Sequence, residues 1–331
     1  MARRELGPDA LRVAQAVRAA LPSAGPVVLG VSGGADSMAL AAGAAWAVRA
    51  AERSGDQGPE VRAVIVDHGL QRGSVQVAAT AAERVRALGL PASVTRVEVL
   101  GTGDGPEAAA RRARRDALRA AAGAGAVMLG HTLDDQAETV LLGLARGSGL
   151  RSLSGMRPVA QDAAGPPVIR PLLGLRRAVT RAACRQWGLD VWDDPHNAAE
   201  RFTRVRVRHT VLPTLEAELG PGVAEALART ADLARADADA LEDWATAATA
   251  SAVRRGALDC RVCAGFPPAI ASRVVRRWLL AQRANEVSAV HVAQVLALVT
   301  DWHGQGPVQV PGVVVARHDG LLVCSPGSGP G

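Results

Sequence analysis

Short apolar runs alternate with longer amphipathic stretches through the first half of the chain. Each run is bounded by glycine or polar residues, which is typical of strands that are buried on both faces. The predicted strands cover residues 27–31, 61–66, 94–100 and 126–129. The stretches between them are Ala-rich or carry apolar residues at helical spacing, which predicts helices over residues 38–53, 75–88, 106–122 and 134–146.

This alternation of strands and helices predicts an α/β fold with a doubly wound parallel sheet. Ligands bind such sheets outside the carboxyl ends of the strands. Polar motifs follow three of the predicted strands: residues 32–37 after the first, Asp67 and His68 after the second, and residues 131–135 after the fourth. We therefore expect these motifs to converge on one ligand site.

The pattern changes about two thirds of the way along the chain. Residues 1–215 are predicted to form the α/β catalytic domain. Within it, residues 151–175 are rich in Gly and Pro and are predicted to form a loop crossing. Residues 216–324 are Ala-rich and predict a smaller, mostly helical domain that ends in a β-hairpin turning at residues 318–320. The Gly/Pro/Ser tail at residues 325–331 is predicted to be disordered.

Composition narrows the chemistry. The 331 residues include 38 cationic side chains and no lysine, so all 38 are arginines. The lack of lysine excludes a Walker-type phosphate loop and Schiff-base catalysis, because both need a lysine amine. The formal net charge of +6 is typical of a protein that binds nucleic acid. A coding bias toward arginine would give the same charge.

Four cysteines in a chain of this length do not make a disulfide framework. Residues 8–21 predict an N-terminal helix, and charged residues through it, such as Asp9, Arg12 and Arg18, interrupt any signal-peptide core. The longest uncharged apolar stretch, residues 38–48, is shorter than the roughly 18 residues that a membrane span needs. We expect a cytoplasmic protein with no membrane segment.

A glycine-rich motif joins the first strand to its helix. Its residues are Ser32, Gly33, Gly34, Ala35, Asp36 and Ser37. The glycines allow phosphates to approach the backbone, and the amides at the helix N-terminus point at them. Asp36 repels a bare phosphate, so we expect it to hold Mg²⁺. The alternative is an ordinary strand-to-helix turn.

Two charged clusters add candidate chemistry. Asp135 and Glu138 share one helix face with Asp134, which suits an ammonium or a metal ion; the alternative is a solvated acidic face. The guanidiniums of Arg201, Arg204 and Arg208 recur at helical spacing, which suits RNA phosphates; the alternative is an Arg-rich surface. These last three residues are the predicted RNA-binding set.

The pair Cys260 and Cys263 has the spacing of a metal-binding or sulfur-transfer motif. Two thiolates do not complete a tetrahedral site, and no second pair of cysteines lies nearby in the sequence. The interpretation as ordinary core cysteines is therefore favoured.

The motif at residues 32–37 resembles the signature of the N-type ATP pyrophosphatase (PP-loop) superfamily, whose members adenylate an oxygen and release pyrophosphate. The resemblance implies an adenine nucleotide α-hydrolase-like fold. Within the superfamily, further motifs are similar to those of tRNA(Ile)-lysidine synthetases over about residues 26–220. They lie at residues 66–71, 107–111, 130–139, 144–149, 170–173, 194–204 and 208–215.

This resemblance implies a reaction. ATP adenylates the C2 carbonyl oxygen of the wobble cytidine in a tRNA(Ile) with a CAU anticodon, and the amine of free L-lysine displaces AMP. The implied partners and cofactors are ATP, Mg²⁺, L-lysine and this tRNA, which the C-terminal domain helps to grip; a homodimer is compatible with the sequence.

The resemblance also assigns roles to residues. By resemblance, Arg111, Asp135 and Glu138 are assigned to lysine recognition; the alternative for Arg111 is an ion pair with Glu107 one turn away. His68 is predicted to bind ATP near its adenine or ribose, and His131 to contact a phosphate or the adenylated intermediate. The alternative for each histidine is a structural role. The predicted catalytic set is Asp36, Arg111, His131 and Asp135.

Two alternatives remain open. A tRNA thiolase of the same superfamily would need a reactive cysteine near the ATP site, and residues 1–183 contain no cysteine. The second alternative is a non-catalytic RNA-binding module that keeps a vestigial loop. The intact Asp36 and the acidic cluster argue against this alternative.

Overall fold

The computed structural model describes residues 6–69, 73–98, 106–147, 149–161, 165–192 and 202–327. The chain divides into two compact units, Met1–Asp232 and Leu233–Gly331. The division falls within a single long helix. Among the described residues, no helix combines the length and the apolar character needed to cross a membrane.

A mixed sheet forms the centre of the first unit. In its spatial order β3-β2-β1-β4-β6-β5, neighbouring strands pair in parallel except at the edge, where β5 pairs antiparallel with β6. The strands are β1 (Pro26–Val31), β2 (Glu60–Asp67), β3 (Ala92–Arg96), β4 (Ala126–Leu129), β5 (Val159–Ala160) and β6 (Val168–Ile169). The prediction of a doubly wound, largely parallel sheet is confirmed.

Helices accompany the sheet along the chain. They are α1 (Pro8–Ala20), α2 (Ala35–Ser54), α3 (Ser74–Ala87), α4 (Pro106–Ala122), α5 (Leu133–Ala145), α6 (Leu150–Leu153) and α7 (Arg177–Gln186). After them come α8 (Thr203–Arg206), a π-helical turn (Val207–Val211) and α9 (Leu212–Leu219). The main apolar core joins the buried faces of α1, α2 and α3 to strands β1, β2 and β4.

The strand order reverses between β1 and β4, since β2 lies on one side of β1 and β4 on the other. A crevice opens outside the carboxyl ends of strands at such a reversal. Gly130 directly follows β4, and a Cβ there would lie 2.7 Å from the backbone oxygen of Asp36. The glycine therefore lets the end of β4 pack against the start of α2, which brings the two central motifs together.

Some short helices and strands of the structure were not predicted from the sequence. Residues 151–175, predicted as a loop crossing, contain β5, β6 and most of α6. Strands of two residues are too short to give an alternating pattern, and β6 forms because it pairs with β4.

The second unit combines helices with an antiparallel sheet. Its helices are α10 (Val223–Ala252, which begins in the first unit), α11 (Cys260–Ala264), α12 (Pro268–Ala281) and α13 (Ala289–Thr300). Its strands are β7 (Val253–Arg254), β8 (Ala257–Asp259), β9 (Val308–Val310), β10 (Val313–His318) and β11 (Leu321–Pro326). The hairpin of β10 and β11 lies within a sheet of order β7-β8-β11-β10-β9. The smaller helical domain is thus confirmed, with a sheet that the sequence did not indicate.

The start of the predicted disordered tail is corrected by β11. This strand extends through Ser325 and Pro326, because both residues pair with β10. Residues 328–331 of that tail lie outside the described residues.

Candidate functional site

The glycine-rich loop is held mainly by its own residues. Ser37 Oγ accepts a hydrogen bond from the backbone N–H of Ser32 at 3.1 Å and donates one to the carbonyl of Gly34 at 2.9 Å. Gly33 has a φ of +87°, which favours glycine. Gly34 is the N-cap of α2, so the first amides of this 20-residue helix face the crevice. This geometry suits an anion such as a phosphate.

A second segment fastens the loop from outside. The backbone N–H of Trp192 donates a hydrogen bond to the carbonyl of Gly33 at 3.0 Å. Residues 191–192 are therefore attached to the loop without belonging to a helix or strand. A Cβ at Gly33 would also lie 3.3 Å from the Cβ of Ala81, so α3 limits the space on this side.

His68 follows β2, the neighbour of β1 in the sheet. Its Nδ1 is buried and has no hydrogen-bond partner among the described residues. Asp67 beside it accepts the backbone N–H of Gly69 at 3.0 Å. A buried ring nitrogen of this kind suits a polar ligand atom, and the role of His68 in ATP binding stays a prediction.

Asp36, the acidic residue of the loop, is bound on both oxygens. Thr180 on α7 donates its hydroxyl to Oδ1, and the Nε of Arg177 lies 3.4 Å from Oδ2. Burial raises the pKa of Asp36 above its ordinary value, and the bonds from Thr180 and Arg177 offset part of that rise. The carboxylate is thus fixed at the start of α2 with a cation beside it.

Asp135 faces the site with one oxygen only. Its Oδ2 accepts the backbone N–H of Thr132 at 2.8 Å and the Thr132 hydroxyl at 2.9 Å, which completes a capping box at the start of α5. Its Oδ1 lies 2.8 Å from Nη2 of Arg177. Burial opposes ionisation, but Arg177 and the Thr132 amide hold the pKa of Asp135 below its ordinary value.

Glu138 is surrounded by guanidiniums. Its side chain is 0% exposed. Arg204 Nε lies 2.7 Å from Oε2, Arg208 Nε lies 2.7 Å from Oε1, and both Nη atoms of Arg177 lie 3.3 Å from Oε1. A carboxylate removed from water in this way is destabilising unless cations and hydrogen-bond donors surround it. The alternative of a solvated acidic face does not apply to Glu138.

Asp134 makes different contacts from Asp135 and Glu138. Its Oδ2 accepts the backbone N–H of Arg177 at 2.7 Å, at the start of α7, and its Oδ1 pairs with Arg176 at 3.2 Å. Asp134 therefore caps α7 and positions Arg177, rather than joining Asp135 and Glu138 as a ligand.

Arg177 and Thr180 are the site residues that the motifs did not indicate. A physical signal was present in the sequence, because two consecutive arginines at a helix N-terminus oppose the helix dipole. Such a placement indicates nearby carboxylates, and the structure supplies them as Asp36, Asp135 and Glu138.

Arg204 and Arg208 point at this cluster. Their side chains are 26% and 23% exposed, and both pair with Glu138. RNA phosphates would have to compete with that carboxylate, so tRNA binding by these residues stays a prediction. The third member of the predicted stripe, Arg201, lies outside the described residues.

His131 lies among cations at the end of β4. Burial is the main reason that its pKa falls to about 4, and the nearby charges of Arg170, Arg114 and Arg204 lower it further, against Asp135. Its Nδ1 is buried without a hydrogen-bond partner among the described residues. The ring is therefore neutral at physiological pH and suits hydrogen bonding rather than charge pairing.

Arg111 lies on the exposed side of α4. Burial lowers the pKa of Arg114 one turn further along, and the Arg111 charge lowers it more. The place of Arg111 in lysine recognition stays a prediction. The side chain of Glu107, one turn before it, is outside the described residues.

The cysteines are poor nucleophiles. Cys260 and Cys263 are buried in the core of the second unit, and burial raises the pKa of Cys263 to about 11. Cys184 lies near the loop, where its thiol donates to the carbonyl of Ala35. Burial and the Asp36 charge raise the pKa of Cys184 to about 12, so it stays protonated. Among the described residues, no group of three acidic, histidine or cysteine side chains forms a metal site.

The fold and the loop define a PP-loop ATP-binding protein, and the PP-loop domain family matches residues 9–215. A second family, described as the TilS substrate binding domain, matches residues 258–323. The chain belongs to the tRNA(Ile)-lysidine synthase family.

Close relatives cover nearly the whole chain. The tRNA(Ile)-lysidine synthase of Leifsonia xyli is 53% identical over 310 residues, covering 91% of this chain and 90% of the relative. That of Streptomyces coelicolor is 52% identical, covering 91% and 85%. Among solved structures, the U34-tRNA thiolase of Methanococcus maripaludis has a TM-score of 0.54 at 18% identity, covering 69% of this chain and 80% of that chain. This last likeness shows the shared fold alone.

Proposed function

We propose that this protein ligates L-lysine to C2 of the wobble cytidine of a CAU-anticodon tRNA(Ile), through an adenylated cytidine. One observation carries the proposal: a single guanidinium, that of Arg177, contacts both Asp36 of the phosphate loop and the Asp135–Glu138 pair. A nucleotide site and a cation-binding site are therefore adjacent, as a reaction between an adenylated base and an amine requires.

The first step is adenylation. The loop amides and the N-terminus of α2 bind the phosphates of ATP and orient the α-phosphorus toward the cytidine. The C2 carbonyl oxygen forms a bond to the α-phosphorus, and the bond to pyrophosphate breaks. His68 and the hydroxyls of Ser32 and Ser37 complete the ATP-binding set.

Magnesium fits Asp36 as part of the nucleotide complex. Mg²⁺ commonly binds one or two carboxylates together with substrate phosphates. Asp36 supplies one carboxylate, 25% exposed, in the first turn of α2. When bound, the ion neutralises charge on the departing pyrophosphate.

The second step uses the acidic cluster. Asp135 and Glu138 bind the side-chain amine of lysine, and Arg111 binds its carboxylate. The amine first gives up one proton to water and then attacks C2. The bond between C2 and its oxygen breaks, AMP leaves with that oxygen, and the new C–N nitrogen releases a second proton to water. A cavity of about 240 Å³ beside the cluster is lined by Asp134, Glu138, Arg176, Arg177, Arg208, Leu212, Pro213, Glu216 and Ala224. Its mixed charges suit a zwitterionic amino acid.

The tRNA is held by Arg201, Arg204 and Arg208 and by the C-terminal domain at residues 216–324. Cytoplasmic localisation and a homodimer remain predictions of the sequence.

The test incubates purified protein with ATP, radiolabelled L-lysine and a CAU-anticodon tRNA(Ile). We expect lysine to be incorporated and AMP to be released in equal amounts. Asp135→Asn should raise the KM for lysine at least tenfold while pyrophosphate release without lysine continues. Sulfur transfer in place of lysine incorporation would establish the thiolase alternative instead.

A further inference from the structure

Arg177 bridges two half-sites that bind different substrates. Its Nε lies 3.4 Å from Asp36 Oδ2, at the nucleotide loop. Its Nη2 lies 2.8 Å from Asp135 Oδ1 and 3.3 Å from Glu138 Oε1, at the carboxylates proposed to bind the amine. The side chain is only 16% exposed, so its charge is poorly screened by solvent. The two half-sites therefore share one cation, which contacts carboxylates of both.

The positive and negative charges around these two half-sites are equal in number. Three carboxylates, Asp36, Asp135 and Glu138, face the guanidiniums of three arginines: Arg177, Arg204 and Arg208. A substrate ammonium that enters this partly buried cluster adds an unpaired positive charge, which is costly unless one guanidinium leaves. The amine and Arg177 also need the same acceptors, because Asp135 has only Oδ1 free of its capping box.

Arg177 is the cation that is suited to leave. Its contacts to Glu138 are 3.3 Å, whereas Arg204 and Arg208 each place Nε at 2.7 Å. Of these three guanidiniums, that of Arg177 is the one paired with Asp36. Phosphates bound on the loop would offer it charged acceptors on the side of Asp36.

We propose that Arg177 couples nucleotide binding to lysine binding. When the nucleotide occupies the loop, the guanidinium turns to its phosphates and frees Asp135 Oδ1 and Glu138 Oε1 for the substrate amine. Lysine then binds after the nucleotide, and Arg177 is a positioning residue for both. This inference rests on the proposed function of Asp135 and Glu138.

Equilibrium binding of L-lysine to the full chain tests the coupling without catalysis. Calorimetric titrations are run with and without the α,β-methylene analogue of ATP and Mg²⁺. We expect the analogue to tighten lysine binding about tenfold, within the roughly 5- to 150-fold range of coupled sites. Linkage requires lysine to tighten analogue binding by the same factor.

Arg177→Met removes the shared cation and keeps a side chain of similar length. We expect the ratio of the two lysine affinities to fall to about one, with lysine binding tight even without the analogue, because the acceptors are already free. Arg177→Lys, which has no forked donor set, should give an intermediate ratio. Arg185→Met, at an exposed position near the end of α7, is the matched control and should keep the tenfold ratio.

The outcomes separate two failures. If lysine binds the unaltered protein equally well with and without the analogue, the coupling is overturned and the proposed function stands. A tenfold ratio that survives in folded Arg177→Met overturns it as well. If lysine binds under neither condition, even with tRNA present, the amine role of Asp135 and Glu138 fails together with the coupling.

Discussion

The phosphate loop and the acidic cluster are adjacent, but they are built in opposite ways. The hydrogen bonds inside the loop join residues three to five positions apart. Those that hold Glu138 join residues 39 to 70 positions apart, and Arg177 reaches Asp36 across 141 positions. The loop is a local structure on one strand and one helix, whereas the cluster exists only when α5, α7, α8 and the π-helical turn pack together.

The difference has an energetic side. The loop needs backbone geometry, which two glycines and a helix N-terminus supply. The cluster needs charge balance, because a carboxylate removed from water is tolerated only with cations beside it. Damage to the loop should therefore affect chemistry more than stability, and damage to the cluster should affect both.

Glu138→Gln tests the cluster side of this contrast and has the largest expected effect. The side chain is 0% exposed, and its loss of charge leaves three guanidiniums facing two remaining carboxylates. We expect the free energy of unfolding to fall by about 3–5 kcal/mol, measured by urea denaturation.

The matched control is Asp116→Asn, which removes an exposed acid paired with Arg115 at 3.8 Å. That surface pair should contribute less than about 1 kcal/mol. Similar losses in the two variants would show that the cluster is not held by buried charge pairing.

Asp36→Asn tests the loop side. Asparagine keeps an acceptor for the Thr180 hydroxyl, so the fold should be retained. Loss of the charge should slow pyrophosphate release about 10²- to 10³-fold, the usual effect of removing one electrostatic contact to a transition state. Glu52→Gln, at an exposed position on the same helix, should release pyrophosphate at the normal rate. Unchanged release by Asp36→Asn would remove the proposed role in holding Mg²⁺.

The local loop could be predicted from the sequence, whereas the long-range contacts of the acidic cluster could not. The strands around β1 and the positions of Asp36, His131 and Asp135 follow from apolar runs and the motifs after them, since both signals are local. The pairing of Arg204 and Arg208 with Glu138 does not, because helical spacing shows which residues share a face and not what that face meets. The spacing that predicted an RNA-binding stripe is equally the spacing that lets two guanidiniums reach one carboxylate.

The second unit shows the same limit. Apolar runs around a Gly-containing turn predict the hairpin of β10 and β11. The sheet around it also includes β7 and β8, of two and three residues, whose place is set by pairing with β11 and with each other. Elements this short have no periodicity to detect.

Arg204→Ala combined with Arg208→Ala has the smallest expected effect on tRNA affinity, although the loss of two partners of Glu138 also lowers the stability of the fold. If these guanidiniums also bind tRNA phosphates, the logarithm of tRNA affinity should depend less steeply on the logarithm of salt concentration, by about 0.7–0.9 for each phosphate that is no longer neutralised. Filter binding at NaCl concentrations from about 50 to 200 mM measures that slope. Arg254→Ala combined with Arg261→Ala, in the second unit, serves as a second site for comparison. Loss of lysine binding with an unchanged salt slope would assign Arg204 and Arg208 to the acidic cluster alone, because they would then stabilise Glu138 without touching RNA.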